Sequence, residues 1–357
     1  MRVIISAGGT AGHINPALAI IEKIKKEDKN SEFLYIGTTT RMEKDIVPQK
    51  GINYVGIEIF GLKRKLTFEN IKVIFKYLKS ISKCKKEIKK FNPDIVIGAG
   101  GYVTAPVIYA AKKLGYKTLV HEQNSILGLS NKMLLKYTDT LCTSFESMKP
   151  KNVNYVYTGN PTSESAINKR PYKKEDFSLS KSKKLVLIVM GSLGSSTING
   201  VLKKAIDLFS KKSYEVVIIS GKSHYDEFKD IKKNKNVFIF DYIDDLSRLM
   251  KVTDVLVTRA GASTLSEIMA TKTPSILIPS PYVTNNHQYK NALDLVNKNA
   301  AVLLEEKDLT ENTLVSSIDS LIEDSNMRLD IKDNLEKLCK RNSATLIYNE
   351  IVKLIGK

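Results

Sequence analysis

Short apolar runs alternate with longer helix-like segments along almost the whole chain. An apolar run of roughly four to eight residues that ends at polar or glycine residues is typical of a buried strand, and strands that alternate with helices form parallel sheets. The pattern therefore predicts an α/β protein, with helices that include residues 17–26 and 70–90. The predicted strands are residues 3–6, 33–36, 54–58, 95–97, 118–120, 140–143, 185–190, 215–219, 237–240, 255–258 and 276–278.

Two stretches of the chain share one arrangement, in which an apolar strand leads into a glycine-rich turn and then into a helix. The first is VIISAGGTAGHINPALAI, from Val3, and the second is LVLIVMGSLGSSTINGVL, from Leu185. A glycine turn after the first strand is typical of a Rossmann-like fold, whose ligands bind beyond the carboxyl ends of the strands. We therefore predict two Rossmann-like, doubly wound parallel-sheet domains, residues 1–160 and 161–340, that face each other across a cleft.

The net charge of the chain is unusual. Its 357 residues include 56 basic and 38 acidic ones, which gives a formal charge of +18. This excess attracts polyanions such as nucleic acid, an anionic membrane or phosphorylated ligands, although a lysine-rich codon bias would give part of it without any function. Three scattered cysteines favour neither a disulfide framework nor a zinc site. No apolar run reaches the ~18 residues of a membrane span, and the first residues resemble a strand rather than a signal peptide, so we expect a cytosolic protein.

A basic helix stands out within the first predicted domain. Its lysines recur at intervals of three and four residues, so they share one helix face beside an apolar face. Such a helix binds anionic membrane surfaces, with about 1 kcal/mol for each lysine near the leaflet. Alternatively, the apolar face packs on the sheet and the lysines are solvated. The lysines are Lys72, Lys76, Lys79, Lys83, Lys86 and Lys90, and the apolar residues are Ile71, Ile74, Phe75, Leu78 and Ile81.

The first glycine turn, GGTAGH from Gly8 to His13, lies between the first strand and a helix. Glycines let a phosphate approach the backbone, and a helix N-terminus offers N–H groups and the positive end of a dipole. The turn is not GxGxxG, and no acidic residue closes the second strand, so NAD and FAD are disfavoured. His13 can accept a proton near neutral pH. The alternative is a tight turn without a ligand, in which His13 is a capping contact.

Two polar clusters follow later strands of the first half. Residues 98–102, GAGGY, allow the close approach of a ligand or of a neighbouring loop. Residues 121–124, HEQN, end a strand, and Asn131 lies one turn into the helix that follows. Four polar side chains at the end of a strand are costly to bury unless they bind something. The alternative is a hydrogen-bonded buried network.

The second half carries a matching set of polar turns. Residues 191–196, GSLGSS, offer hydroxyl and N–H donors to a diphosphate, and residues 259–267, RAGASTLSE, place small residues at a helix start. Glu267 can accept hydrogen bonds from two ribose hydroxyls, although Thr264 and Glu267 also have the spacing of a capping box. Residues 285–288, NNHQ, carry amides that suit sugar hydroxyls or cap a helix.

The motifs of the two halves, in the order in which they occur along the chain, resemble those of the MurG family. Its members are the N-acetylglucosaminyltransferases that convert lipid I to lipid II in peptidoglycan synthesis. The resemblance implies the GT-B fold, with lipid I bound by the N-terminal domain and UDP-GlcNAc by the C-terminal one. It implies inversion at the anomeric carbon, no cofactor and no protein-bound metal. It also implies a peripheral protein on the cytoplasmic side of the cell membrane, with residues 341–357 packing back on the first domain. The motifs are GGTAGHINPALAI, GAGGYVTAP, HEQNSILGLSNK, TGNP, GSLGSS, DYIDDLSRLM, TRAGASTLSEI and NNHQYKNA.

Matching the motifs residue by residue also implies individual roles. His13 is the preferred general base, and Glu122 and His121 are rivals that the sequence does not separate from it. Many relatives carry an arginine after the NP of TGNP, whereas this chain has Thr162 and Ser163 there, with Arg170 as a candidate replacement. The implied substrate-binding residues are Thr10, Ala11, Gly12, Tyr102, Asn124 and Asn131 in the first domain, and Ser192, Ile243, Ala262, Ser263, Thr264, Leu265, Ser266, Glu267 and Gln288 in the second.

Four other functions share part of this pattern. A GT-B lipid glycosyltransferase that makes a glycolipid, or a UDP-GlcNAc 2-epimerase, has the fold, but the HEQN signature argues against both. A basic non-enzymatic module would bind a membrane or nucleic acid, yet the chain has no recognition-helix or stacking-aromatic pattern, so we predict no nucleic-acid partner. A nicotinamide dehydrogenase would need the dinucleotide fingerprint.

Overall fold

The computed structural model describes residues 1–59, 68–190, 196–228 and 235–356; for residues 68–74 and for Thr284 it describes the backbone alone. The chain divides into two compact units. The first comprises Met1–Glu164 and Asn342–Lys357, and the second comprises Ser165–Arg341. The sequence alone places these boundaries at residues 160 and 340.

Parallel strands form the sheet of the first unit. They are β1 Arg2–Ser6, β2 Glu32–Thr38, β3 Asn53–Ile57, β4 Ile95–Gly98, β5 Lys117–Glu122, β6 Thr140–Thr143 and β7 Tyr155–Tyr157. Their order is β3-β2-β1-β4-β5-β6-β7, and each paired neighbour is parallel. The edge strand β7 escaped prediction because three residues with two tyrosines form no apolar run.

Helices cover both faces of this sheet. They are α1 Ala11–Glu27, α2 Glu43–Gln49, α3 Phe68–Phe91, α4 Thr104–Lys113 and α5 Leu129–Leu134. The next helix, α6 Pro161–Asn168, contains the boundary between the two units. Successive strand residues point to opposite faces, so Val3 packs with Ile20 of α1, whereas Ile4 packs with Val107 of α4. Because both faces are covered, the strands are nearly continuous apolar runs rather than alternating ones.

The second unit repeats this architecture. Its strands are β8 Leu185–Val189, β9 Glu215–Ile219, β10 Val237–Phe240, β11 Val255–Thr258, β12 Ser275–Leu277 and β13 Val302–Leu303. They are parallel, in the order β10-β9-β8-β11-β12-β13. Only β13 was not predicted, because two residues are too few for a strand pattern. The prediction of two doubly wound parallel-sheet domains is confirmed.

The helices of the second unit are α7 Ser196–Phe209, α8 Leu246–Met250, α9 Ala262–Thr271, α10 His287–Val296, α11 Glu311–Glu323 and α12 Ser325–Leu338. Short 3-10 helices connect elements in both units, at Leu135–Tyr137, Lys174–Phe177, Tyr225–Phe228, Thr284–Asn286 and Glu306–Asp308. None of the helices in the described ranges is both long and apolar enough to cross a bilayer.

The last helix, α13 Ser343–Ile355, belongs to the first unit. Ile347 is fully buried in the core cluster that also contains residues of β1 and α1. Ser343 Oγ donates to Asn160 O (2.7 Å) and lies 2.8 Å from Ser163 Oγ. The residues after the TGNP motif, where relatives often carry an arginine, therefore serve the attachment of this helix.

Both sheets reverse their strand order beside their first strand. In the first unit β1 lies between β2 and β4, and in the second unit β8 lies between β9 and β11. Ligands of doubly wound sheets bind outside the carboxyl ends of the strands at such a switch point. The loops that matter are therefore those after β1 and β4 in the first unit, and those after β8 and β11 in the second.

Candidate active site

The glycine loops that follow β1 and β4 pack against each other at the first switch point. Gly8 N donates to Gly100 O (3.2 Å). Gly101 has a φ of +86°, and a Cβ on it would lie 2.4 Å from Gly8 O. No side chain fits at this contact, so these glycines are required for the packing of one loop on the other.

His13 lies half-buried in the first turn of α1, against the second glycine loop. Its Nδ1 is 3.0 Å from Gly8 O and 3.3 Å from Thr10 Oγ1. A carbonyl oxygen can only accept a hydrogen bond, so in the neutral ring Nδ1 carries the proton and Nε2 carries the lone pair. A Cβ on Gly100 would lie 2.5 Å from His13 Cδ2, so that glycine leaves room for the imidazole. The loop thus fixes the tautomer in which Nε2 is the basic atom.

The Glu122 carboxylate is the centre of a buried hydrogen-bond network at the end of β5. Its Oε1 accepts from Asn124 N (3.0 Å) and Asn124 Nδ2 (3.1 Å), and its Oε2 accepts from Gly128 N (2.9 Å) and Asn131 Nδ2 (2.8 Å). Four donors occupy the acceptor positions of this carboxylate. This geometry matches the buried network that was the alternative interpretation of HEQN, and it conflicts with a role for Glu122 as general base.

His121 is fully buried and also makes structural contacts. Its Nε2 lies 3.2 Å from both Gly159 O and Ser144 Oγ. Burial lowers the pKa of His121 to about 4, although the hydrogen bond to Gly159 opposes this shift. The ring is therefore neutral at physiological pH. Its Nδ1 has no partner among the described residues, but it is enclosed by protein, so a substrate hydroxyl cannot reach it without a rearrangement.

The other residues that the sequence assigned to the first domain surround the same loops. Thr10 is the exposed N-cap residue of α1, and Ala11 and Gly12 follow it, half-buried, at the helix N-terminus. Tyr102 is half-buried in the loop after β4, and its hydrogen bond to Arg41 raises the pKa of that guanidinium. The carboxyl edge of one sheet therefore carries these residues together with His13 and the Glu122 network.

Sequence analysis did not single out Glu43, which lies beneath the first glycine loop. The residue is fully buried at the start of α2. Its Oε2 accepts from Gly9 N (3.1 Å), and its Oε1 accepts from Thr38 N (3.0 Å) and Thr38 Oγ1 (2.7 Å). A Cβ on Gly8 would lie 2.4 Å from Glu43 Oε1. In the sequence this residue stands in the charged run RMEKD, so nothing in the local pattern distinguishes it from a solvated charge.

At the second switch point, α9 begins directly after the loop that follows β11. Gly261 is its N-cap residue, so Thr264 lies inside the helix, and the alternative of a Thr264–Glu267 capping box is wrong. Ser266 Oγ donates back to Ala262 O (3.0 Å). The N-terminal N–H groups of this ten-residue helix and its dipole thus remain directed at the loop, which suits an anion.

Glu267 is half-buried on α9. Within the described part of the chain, no group donates a hydrogen bond to its carboxylate. Partial removal from water raises its pKa to about 7; the positive charge of Lys169 opposes this shift, and the negative charge of Asp245 adds to it. The carboxyl group is therefore partly protonated near neutral pH, and a ligand that donates hydrogen bonds to it would favour the charged form.

The remaining residues assigned to the second domain occupy different loops. Ser263 and Leu265 are buried in the first turns of α9. Ile243 is buried in the loop after β10. Gln288 lies in the first turn of α10, and its Oε1 accepts from Ser280 N (2.9 Å), which orients its amide group. Ser192 lies outside the described residues.

The basic helix α3 is only partly packed against the sheet. Cys84 and Ile88, in its second half, are fully buried, whereas Phe75 and Leu78 are 68% and 56% exposed. Packing on the sheet therefore explains one part of the apolar face and leaves the other part in solvent. Ile81, between the two parts, is half-buried.

The lysines of this helix differ in their environments. Lys76 pairs with Glu58 (3.6 Å), and Lys83 Nζ donates to Gly56 O (2.8 Å). Lys79, Lys86 and Lys90 are exposed. The side chains of Lys72, Ile71 and Ile74 lie outside the described part of the chain.

A second exposed apolar pair lies on α5 and was not predicted. Leu129 and Met133 are 68% and 62% exposed. Met133 and Tyr77 of α3 line the same cavity, of about 570 Å³, together with Tyr109 of α4 and three lysines: Lys132, Lys136 and Lys151. Of the exposed apolar residues on α3 and α5, Met133 lines this basic and aromatic cavity, whereas Phe75, Leu78 and Leu129 lie outside its lining.

In the described ranges, no group of three or more His, Cys, Asp or Glu side chains is placed so that it could hold a metal ion.

Known proteins resemble this chain in both units. Residues 3–143 match the glycosyltransferase family 28 N-terminal domain, and residues 185–347 match the glycosyltransferase family 28 C-terminal domain. The chain is 45% identical to the UDP-N-acetylglucosamine--N-acetylmuramyl-(pentapeptide) pyrophosphoryl-undecaprenol N-acetylglucosamine transferase 1 of Bacillus cereus, over 100% of both chains. It is 42% identical to the corresponding transferase of Bacillus licheniformis, over 99% of each.

A solved structure extends this likeness to three dimensions. The crystal structure of MurG from Acinetobacter baumannii superposes with a TM-score of 0.79, at 25% identity and over 99% of each chain. The chain therefore belongs to glycosyltransferase family 28 and, within it, to the MurG family.

Proposed function

We propose that the protein transfers N-acetylglucosamine from UDP-GlcNAc to the muramoyl 4-hydroxyl of lipid I, which gives lipid II for peptidoglycan synthesis. The observation that carries this proposal is the 45% identity, over the full length of both chains, to a relative whose name describes this transferase. A glycolipid glycosyltransferase or an epimerase would share the two sheets without sharing this identity. The site residues then take the following roles.

His13 is the general base. Its Nδ1 is committed to Gly8 O (3.0 Å), so Nε2 takes the proton of the attacking hydroxyl. The two rivals are disfavoured by their contacts, since the carboxylate of Glu122 already accepts four hydrogen bonds and His121 is fully buried. Proton transfer to a positioned base contributes roughly 10²–10⁴-fold to a rate.

The first unit also binds substrate around this base. The helix N-terminus at Thr10, Ala11 and Gly12 offers N–H groups that suit the GlcNAc or its diphosphate. The side chain of Asn124 is oriented by its hydrogen bond to Glu122 (3.1 Å). Tyr102 and Asn131 lie at the same sheet edge and are the remaining substrate-binding residues that we propose for this unit.

The second unit binds the donor nucleotide. The start of α9, with Ala262, Ser263, Thr264, Leu265 and Ser266, supplies N–H groups and a dipole to the diphosphate. Ser192 adds a hydroxyl from the glycine turn after β8. Glu267 accepts from two ribose hydroxyls, Ile243 presents backbone groups to the uracil, and Gln288 binds the sugar.

The reaction is a direct displacement with inversion at the anomeric carbon. The 4-hydroxyl oxygen of the acceptor attacks C1 of GlcNAc while its proton moves to Nε2 of His13. The bond from C1 to the β-phosphate oxygen breaks, and UDP leaves with the electron pair. Negative charge grows on the diphosphate, where preorganised donors are each worth about 3–4 kcal/mol in the transition state.

The test is transfer of radiolabelled GlcNAc from its UDP form to a short-chain lipid I analogue by the purified protein. We expect a labelled product with the added sugar, and no product when diacylglycerol replaces the lipid I analogue. Transfer of the label to diacylglycerol would instead indicate a glycolipid glycosyltransferase. Recovery of the label only in an epimerised sugar, with no transfer to an acceptor, would indicate an epimerase.

We further propose that the protein binds peripherally to the cytoplasmic side of the cell membrane. Phe75 and Leu78 on α3 and Leu129 and Met133 on α5 are more than half exposed, and a lipid surface is the apolar phase in which such residues are stable. Lys79, Lys86 and their neighbours Lys72, Lys76 and Lys83 attract anionic headgroups, with about 1 kcal/mol for each lysine close to the surface.

Co-sedimentation with phosphatidylglycerol vesicles tests this surface. A Phe75→Ser/Leu78→Ser double variant should bind about ten-fold more weakly than the wild-type protein, because two apolar side chains no longer enter the lipid. Leu329→Ser is the matched control, since Leu329 is 57% exposed on α12 of the second unit. Equal losses in both variants, or equal wild-type binding to neutral vesicles, would contradict the proposal.

A further inference from the structure

Glu43 and His13 contact opposite ends of one peptide group. Gly8 O and Gly9 N belong to the same peptide bond; Glu43 Oε2 accepts from Gly9 N (3.1 Å), and His13 Nδ1 donates to Gly8 O (3.0 Å). We propose that Glu43 is a positioning residue that acts through the Gly8–Gly9 peptide to hold His13 in its Nδ1–H tautomer and to strengthen Nε2 as a base. The proposal rests on the role of His13 in the proposed function.

Both oxygens of the Glu43 carboxylate accept hydrogen bonds, and two glycines pack closely against its side chain. Its second oxygen accepts both the N–H and the hydroxyl of Thr38 (3.0 and 2.7 Å). A Cβ on Gly37 would lie 2.8 Å from Glu43 Cγ, and a Cβ on Gly8 would lie 2.4 Å from Oε1. Two glycines therefore make room for this side chain, and a buried carboxylate with three donors is a rigid support for the loop above it.

The charge of Glu43 also affects the peptide electrostatically. A negative charge at the N–H end polarises the peptide, so its carbonyl accepts the His13 proton more strongly. This effect opposes the dipole of α1, whose positive end lies at His13 and disfavours an imidazolium there. The loop thus gives the base a partner for its Nδ1 proton without exposing a carboxylate to the substrate.

Other titratable groups lie on the elements around His13. They are Arg41 before α2, Tyr102 in the loop after β4 and Glu122 at the end of β5. Tyr102 hydrogen-bonds Arg41, and Glu122 is occupied by its own donors. Among the described contacts, the Glu43 carboxylate is the one that bonds the peptide next to the imidazole.

Glu43→Gln is the direct test, because it keeps the shape of the side chain and removes the charge. An amide has one oxygen, so it cannot accept from both Thr38 N and Gly9 N at the two positions. We expect the midpoint of the His13 titration, followed by NMR of its ring protons, to move to lower pH. The acid limb of the kcat profile should move with it, and kcat should fall roughly 10- to 100-fold, the loss typical of a base misplaced by about 1 Å.

Asp45→Asn is the matched control. Asp45 lies two residues away on the same helix, and its side chain is 67% exposed, so the variant makes the same change in net charge without touching the loop. Both the titration midpoint and kcat should stay at the wild-type values. The chain has four histidines, and the other three report in each spectrum whether the variant is folded.

The titration needs no substrate, so it separates this inference from the proposed function. If the His13 midpoint shifts but the protein transfers no GlcNAc, the positioning role of Glu43 is supported and the proposed function is contradicted. An unchanged midpoint in folded Glu43→Gln overturns the positioning role, whatever the transfer assay gives. If that variant does not fold, Glu43→Asp keeps the charge one methylene farther away and should give a smaller shift in the same direction; no shift there also overturns the proposal.

Discussion

The carboxylates near the two switch points of this protein differ in the hydrogen bonds that they accept from their own chain. At the first, Glu43 and Glu122 are buried and accept three and four hydrogen bonds from their own chain. At the second, Glu267 receives none from the described residues, and its pKa is raised to about 7. A carboxylate that is already satisfied shapes a site, whereas one that is not is stabilised only when a ligand brings donors.

This difference agrees with the two tasks that we propose for the units. A general base has to be in its reactive tautomer and position before the acceptor arrives, so the fold supplies its partners in advance. A nucleotide site instead gains affinity from groups that the ligand satisfies. The following three experiments test this contrast, starting with the largest expected effect.

His13→Ala removes the base but leaves the second switch point intact. We expect turnover to fall by roughly 10²–10⁴-fold and UDP affinity to remain at the wild-type value, measured by GlcNAc transfer and by titration calorimetry. His224→Ala is the control, because His224 pairs with Glu227 (2.6 Å) in the second unit. Unchanged turnover in His13→Ala would remove this residue from the mechanism.

Gly101→Ala tests whether the two loops of the first unit must touch. Its Cβ would lie 2.4 Å from Gly8 O, the atom that receives the His13 proton. We expect kcat to fall by about 10²-fold. Gly115→Ala is the matched control, since Gly115 also has a positive φ (+84°) but nothing within 4 Å of its added Cβ.

Both glycine variants carry the cost of a left-handed alanine, about 1–2 kcal/mol. In thermal unfolding, Gly101→Ala should lose more free energy of unfolding than Gly115→Ala, and only the former should lose activity. Equal activity in the two variants would show that the loop contact does not position the base.

Glu267→Gln removes the charge of the carboxylate that has no donor among the described residues. Of the three variants, it should have the smallest effect on turnover. Because the ribose hydroxyls would donate to the charged form, wild-type UDP affinity should rise as pH increases through 7, and the variant should show no such rise. At pH 8 the variant should bind UDP about ten-fold more weakly, since a hydrogen bond to a charged group contributes about 1.5–3 kcal/mol.

The same carboxylate should make the folded state less stable at higher pH. Its pKa is about 7 in the folded protein against an ordinary value of 4.5, so between these values the folded state binds more protons than the unfolded state. The free energy of unfolding therefore falls as pH rises through this window. Glu267→Gln should remove that decline and gain roughly 3 kcal/mol at pH 8, measured by denaturant unfolding. A pH dependence equal to that of the wild-type protein would contradict this assignment.

Much of the fold followed from the sequence because its signals are local. The apolar runs fixed eleven strands, and the paired glycine turns indicated two Rossmann-like units. The two strands that were missed, Tyr155–Tyr157 and Val302–Leu303, are short edge strands that depend on pairing with a neighbour rather than on their own pattern. The Thr264–Glu267 capping box failed for a related reason, since the helix start is set by Gly261 and the end of β11.

The sequence by itself determined the family, the alternation of strands and helices, and the residue types at the ends of the strands. Only the tertiary structure decided which of these residues are satisfied and which are not. Hydrogen bonds such as those of Glu43 to Gly9, 34 positions away, join segments that are distant along the chain, and no local pattern records them. Burial and partner geometry arise when the strands come together, so the distinction between His13, His121 and Glu122 exists only in the folded protein.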